Sequence, residues 1–392
     1  MKFLVIGGGI SGLFLSYYLL KAGHAVVLAD ARKGKVRTSA YNAGQLSTRP
    51  SFTDIFAPSE IVRISARERR LNRRWFELAR RQSRDKYESV ASALAKRSLS
   101  LYGRFLAKEN ARVDLAGEVL ELHSRLRGET NPEPGARFLG PKELAEVGYK
   151  GFEGGWIIKE KSLHSRKLLD LLRSRISDMG ARAVDGEVSL KRSGSRISRA
   201  TVRGDDVVAD AYVVAAGSWS RELCGPLGYD PMVIPARGLV LFYRTGGKRV
   251  VDYPSHYEDE GVTATQHNAD KLRFTSFFEL VGFNPRFSRA RTDWLFRTVT
   301  SHFSRACRFT VSEVGVGYRP STPDQLPVVG GIPRCENGYV LTGSTRKGMA
   351  LAPVLARLLM NLMLGSGQKN ELLLRAMDPQ RFARGPGSVP KF

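Results

Sequence analysis

Two arginines stand out for their surroundings. Arg319 lies in VGVGYRPSTPDQLPVVGGIP (314–333), a run otherwise poor in charge, and Arg346 follows 27 residues later in GSTRKGMALAP, which is glycine-bounded and leads into apolar sequence. A cation in an apolar setting is costly unless paired. A guanidinium presents a planar fork that meets a carboxylate with two parallel hydrogen bonds, so this spacing predicts a carboxylate partner, from a ligand or from the protein itself.

A second constellation opens the chain. Gly7-Gly8-Gly9-Ile10-Ser11-Gly12 matches G-x-G-x-x-G directly after the apolar run FLVI and before Ile10, Leu13, Phe14, Tyr17 and Leu20 at helical spacing. The first glycine allows a tight turn, the second lets backbone approach a pyrophosphate, and the third lets helix and strand pack closely. The helix N-terminus then offers N–H groups to phosphates. HAVVLAD ends at Asp30, 18 residues past Gly12, where an acid hydrogen-bonds a ribose diol. An acid there disfavours a 2′-phosphate, and the absence of a second G-x-G-x-x-G argues against paired flavin and NAD(P)H sites. Between NAD and FAD the residues themselves do not choose.

The elements that must carry these groups are a βαβ unit at the N-terminus, polar helical sequence over 59–110, mixed short strands to 160, a helix over 163–179 and short β-like runs to AYVVAAGSWS. Residues 232–316 alternate apolar and polar, which predicts antiparallel strands of a second domain, and a last helix covers about 349–364. With 392 residues and 42% hydrophobic content, two compact domains are expected. Cys224, Cys307 and Cys335 are too scattered for a disulfide framework or a zinc nest, and no metal is expected. No apolar run suffices for a membrane span, ALAPVLARLLMNLMLG being broken by Arg357 and Asn361. A strand from the first residues predicts a cytoplasmic protein. The net charge of +24 is concentrated in residues 61–110, with 14 Lys/Arg against 5 Asp/Glu. Such a block attracts an anionic membrane surface, here the inner face, or an acidic redox partner; without a recognised nucleic-acid module, nucleic acid is not the expected partner.

Five segments, in this order, carry a resemblance: VIGGGISGLFLSYYLLKAGHAVVLAD, NAGQLS (42–47), DAYVVAAGSWSREL (210–223), GYRPSTPDQLPVVG (317–330) and GSTRKGMALAP (343–353). The chain resembles the D-amino-acid oxidase superfamily of FAD enzymes, in the branch with glycine oxidase, D-amino-acid dehydrogenase and dye-linked proline dehydrogenases. The resemblance implies an α/β fold, α+β overall. A Rossmann-like FAD-binding domain (1–80, 148–222 and 318–392) accompanies a substrate domain on a mostly antiparallel sheet (81–147 and 223–317). It implies noncovalent FAD, since the segment that carries a flavin-tethering cysteine in some relatives has none here. Gly7, Gly9, Ile10, Ser11 and Gly12 would hold the pyrophosphate, Asp30 with Ala31 and Arg32 the adenosine ribose, and Val188 would sit against adenine. Ala216, Gly217 and Trp219 would line the middle, Gly44, Gln45 and Leu46 would pass along the isoalloxazine, and Gly348, Met349 and Ala350 would aim helix N–H groups at its N1–C2=O edge. Arg319 and Arg346 match the family's two carboxylate-binding arginines, while Tyr253 and His256 fall where relatives place an aromatic or histidine over the substrate.

The activity so implied is oxidation of the C–N bond of a small amino acid, whether a D-amino acid, glycine, sarcosine or a proline-like one, by hydride transfer to flavin N5 to give an imine. Oxygen, a quinone or a redox protein would reoxidise the flavin. Phe277 and Phe278, in place of glycines common in the substrate-facing strand, predict a tight apolar pocket. An alternative is an enzyme of the same fold acting on an aminomethyl group in tRNA through the basic 61–110 region.

Overall fold

The computed structural model describes residues 1–31, 38–49, 51–126, 133–366 and 371–383. Two sheets dominate it. The first has six strands, in spatial order Val328–Gly331, Gly338–Thr342, Ala211–Val214, Lys2–Ile6, Ala25–Asp30 and Arg182–Asp185. All neighbours are parallel except the first two. Near-continuous runs such as FLVI and AYVV suit a sheet covered on both faces. One face carries the helices Ile10–Lys21, Arg84–Lys108, Ser165–Asp178 and Gly348–Met363, whose apolar sides share one core with Phe3 and Val5. The other face packs Leu4, Ile6 and Val27 against a small antiparallel sheet of Val188–Ser193, Arg196–Val202 and Asp205–Asp206.

The second sheet has nine strands and is mostly antiparallel, built around the long strands Ile234–Arg244, Lys271–Leu280 and Thr310–Ser321. Its own core includes Tyr149, Leu241, Phe274 and Leu295. The antiparallel strands expected over 232–316 are there, but Arg289–Thr300 among them is a helix, capped by Ser288 through the Arg291 N–H and burying Leu295 and Val299 one turn apart. Local capping and i, i+4 burial outweigh the apparent alternation.

The domain limits drawn from the sequence cut across these sheets in two places. Strand Gly154–Ile158, within 148–222, joins the larger sheet because it pairs with Val119–His123. Helix Arg84–Lys108, within 81–147, buries Tyr87, Leu94, Tyr102 and Phe105 in the core of the smaller sheet's domain. Among the described residues no helix is long and apolar enough to cross a membrane.

Candidate active site

The glycine turn is dictated by contact. Gly7 has φ +121°, and a Cβ on it would lie 2.4 Å from the Ala215 carbonyl oxygen; one on Gly12 would lie 2.0 Å from that of Gly7. Only glycine brings the strand end and helix start this close. Gly9, the N-cap of Ile10–Lys21, has no side chain to accept from the first turn; the Ile10 N–H donates instead to Ser39 Oγ at 3.1 Å, and N–H groups at such a helix end suit a phosphate. The turn borders a cleft of about 610 Å³. Gly8, Gly9, Ile10 and Ser11 line it together with Asp30, Ala31 and Val188, with Ala216, Gly217 and Trp219, and with Gly348 and Met349. Trp219 stacks on Phe283 at 5.0 Å. The cleft thus gathers residues that are scattered in sequence and were expected to hold one extended dinucleotide, and its glycine cradle fits the pyrophosphate of FAD.

Several expected contacts take a different form. Gly7 and Gly12 act through close packing rather than by lining the cleft. Ala350 and Leu46 are buried and line neither cavity. Gly44 has φ +80°, with the Leu163 carbonyl oxygen 1.9 Å from where a Cβ would sit; it shapes the loop rather than its lining. Gln45 does line the adjoining cavity. Arg32 lies outside the described residues.

That adjoining cavity, of about 640 Å³, meets the cleft at Thr38, Asn42 and Arg319, which line both. Arg319 sits in strand Thr310–Ser321 opposite Ala236. Gly238 leaves space for its guanidinium: a Cβ there would come 2.4 Å from Nη1. Arg319 donates to the Phe277 carbonyl at 2.8 Å, and burial, then the neighbouring Arg346, push its pKa down to about 10. Arg346, in the turn before helix Gly348–Met363, donates to Thr53 Oγ1 at 3.2 Å, and burial lowers its pKa too. Among the described residues neither guanidinium has a carboxylate within 4.0 Å. The two arginines therefore converge on one cavity, both half-buried and both lacking an anion.

His256 lines this cavity, with Nδ1 3.2 Å from Thr263 Oγ1 and Nε2 3.8 Å from Glu258; burial lowers its pKa and Glu258 opposes that. Tyr253 does not line it. It packs against the larger sheet's core, and its carbonyl accepts from the Tyr149 hydroxyl. Phe277 and Phe278, expected to make a tight apolar pocket, line neither of these two cavities. Phe277, at φ +70°, turns into the core with Phe287 and Trp294, and Phe278 packs into another cluster with Trp75.

The wall is instead rich in charge that sequence reasoning missed. Arg49 pairs with Glu121 and, at 3.6 Å, with Glu160, while Lys347 donates to the Ser47 and Arg49 carbonyls. Burial pushes the Lys347 pKa down to about 8. Lys347 could have been noticed beside Arg346. Glu121 and Glu160 meet only because Val119–His123 pairs with Gly154–Ile158, which no local signal reveals.

Comparison with known proteins bears on the family and the fold. The chain is 28% identical to a D-amino acid dehydrogenase of Methylobacterium nodulans, over 93% of this chain and 96% of that one. The fold matches the crystal structures of an iminodiacetate oxidase from Chelativorans (TM-score 0.74, 18% identity, 93% and 95% covered) and of a glycine oxidase from Bacillus cereus (TM-score 0.70, 17% identity, 96% and 97% covered). Residues 2–362 match the family described as DAO, FAD dependent oxidoreductase.

Proposed function

Because the chain belongs to the DAO family of FAD-dependent oxidoreductases, we propose that it oxidises the C–N bond of a small amino acid to the imine, which water then hydrolyses. One observation carries this reading: Arg319 and Arg346, without an anion of their own, face the cavity that adjoins the glycine-turn cleft. The wall holds Arg49, Arg84, Arg319, Arg346 and Lys347 against Glu88, Glu121, Glu160 and Glu258. Cations exceed acids by one, which is the charge of a single carboxylate.

Bound in the cleft, FAD supplies the two-electron acceptor. The protein's own part is positioning. Arg319 and Arg346 grip the carboxylate as a fork, and His256 with Glu258 borders the space left for the amine. The amine must be neutral when hydride leaves, so a wall that only places it suffices. The polar wall favours a small or polar substrate, glycine-like ones included, over a strongly apolar one. Gly9 and Gly348, both at helix N-termini, would hold the cofactor's central pyrophosphate and its flavin ring respectively.

The exposed arginines of Ala66–Leu71 and Arg73–Arg80 form a separate basic face, which would hold the enzyme against an anionic membrane surface or an acidic electron acceptor. Activity is tested by supplying an artificial dye acceptor with each candidate amino acid and measuring dye reduction and ammonia release together. With glycine or a primary D-amino acid, stoichiometric appearance of both supports the assignment, and with sarcosine or proline dye reduction with the matching amine or cyclic imine does; no dye reduction with any amino acid overturns it.

A further inference from the structure

Arg273 is a buried cation that the substrate reading does not use. It lies in strand Lys271–Leu280, is only 5% exposed, and has no carboxylate within 4.0 Å among the described residues. An isolated buried charge is expensive, so its partners show what it is for. Three of the five contacts go to oxygens outside its own sheet: Nη1 donates to the Asn42 carbonyl and, at 3.2 Å, to Ser165 Oγ, and Nη2 donates to the Ala43 carbonyl; within its own sheet Nε donates to Thr265 Oγ1 and Nη2 lies 3.5 Å from His267 Nε2. Ser165 in turn donates to the Ala40 and Asn42 carbonyls. Guanidinium and hydroxyl together gather the carbonyls of 40–43.

Those carbonyls belong to the loop between the two cavities. Asn42 lines both, and Ala43 and Gln45 line the second. Peptide bonds here are trans. With the Asn42 carbonyl turned to Arg273, the Ala43 N–H points the opposite way, and Ala43 faces the cavity that Arg273 does not line. The next N–H, of Gly44, is taken by Asn42 Oδ1 at 2.7 Å, which fixes the turn. Behind this loop stands an uncompensated positive charge, whose attraction for any electron added in front of it is large in a water-poor interior.

We propose that Arg273 is a positioning residue, resting on the FAD reading above: it holds loop 42–45 in the shape that receives the isoalloxazine, and its charge raises the flavin's reduction potential. Burial, reinforced by Arg166, pushes its pKa down to about 9, so it remains a cation at neutral pH.

The test compares Arg273→Lys and Arg273→Met with the wild-type holoprotein, by FAD titration and by equilibration of the bound flavin with reference dyes. Arg273→Met removes every guanidinium hydrogen bond that holds the loop, so it is expected to bind FAD at least about 10-fold more weakly and to show a more negative potential. Arg273→Lys keeps the charge but not the fork, so its affinity falls while its potential stays near wild type. If the methionine variant does not fold, the lysine variant decides alone, and wild-type affinity or a lysine potential as negative as that of unbound FAD overturns the proposal. Unchanged potential in the methionine variant overturns it as well. A wild-type chain that binds no FAD would instead overturn the functional reading on which it rests.

Discussion

Arg319 and Arg346 carry the substrate hypothesis through geometry that a near-isosteric change would disturb. Lysine at 319 keeps a charge but loses the fork and the Phe277 contact. Arg319→Lys and Arg319→Ala are both expected to raise KM for amino acids, the alanine variant by about 100-fold, the scale of a charged hydrogen-bond pair. FAD content should be unchanged, and steady-state kinetics beside a flavin absorbance ratio would show it. Unaltered KM would make Arg319 a structural cation. Lys347 adds a pH dependence. Its pKa of about 8 lies below the ordinary 10.5 because burial disfavours the cation. Below pH 8 it contributes positive potential beside Arg346; as pH rises through that value the charge is lost, and carboxylates bind less well. Inhibition by a simple carboxylate lacking an amine, such as propionate, should therefore weaken above about pH 8, and Lys347→Met should flatten the profile. At this scale the arginine pair was legible because each sits in an unusual local context. Tyr253 was misplaced because a loop with two tyrosines looks the same whether it faces a cavity or a core.

The elements explain which other parts of the site could be read. The glycine turn and the helix after Gly348 are local, each set by a strand, a tight turn and a helix start in one short stretch. Their chemistry follows from sequence order alone. Gly12→Ala should give a chain that purifies without flavin, since its Cβ would meet the Gly7 carbonyl at 2.0 Å; a yellow protein with wild-type FAD content would contradict the role assigned to that turn. The polar wall was not legible in the same way. Arg49, Glu121, Glu160 and Lys347 lie on four separate segments, joined only by strand pairing and by the turn into the last helix. Phe277 shows the limit from the other side. Its strand was read correctly, but φ +70° reverses the side chain into the core, and no alternation pattern foretells such a reversal.

Across the whole molecule the charge is unevenly spent. All eight cations of 61–81, namely Arg63, Arg67, Arg69, Arg70, Arg73, Arg74, Arg80 and Arg81, are exposed, whereas the helix that follows turns its apolar side into the core. Leu71 stands 59% exposed among them. The stretch 59–110, expected to be helical and polar, is therefore a short strand at Val62–Ile64, two short arginine-covered helices and one structural helix. Vesicles containing phosphatidylserine should retain the protein at low salt and release it as salt is raised, with neutral vesicles retaining none; equal retention by both would remove any role for this face at membranes. The two-domain organisation was legible from composition and segment order, while its exact division was not, because strand Gly154–Ile158 and helix Arg84–Lys108 take their partners from distant sequence. The account as a whole stands on two adjoining cavities, one for FAD and one for an amino acid. The most direct measurement is anaerobic mixing of the purified holoprotein with glycine, sarcosine, proline and the small D-amino acids while following the flavin's visible band. The account predicts bleaching by at least one of them, abolished at the same concentration by Arg319→Ala; a flavin that no amino acid or N-methyl amine reduces would contradict it.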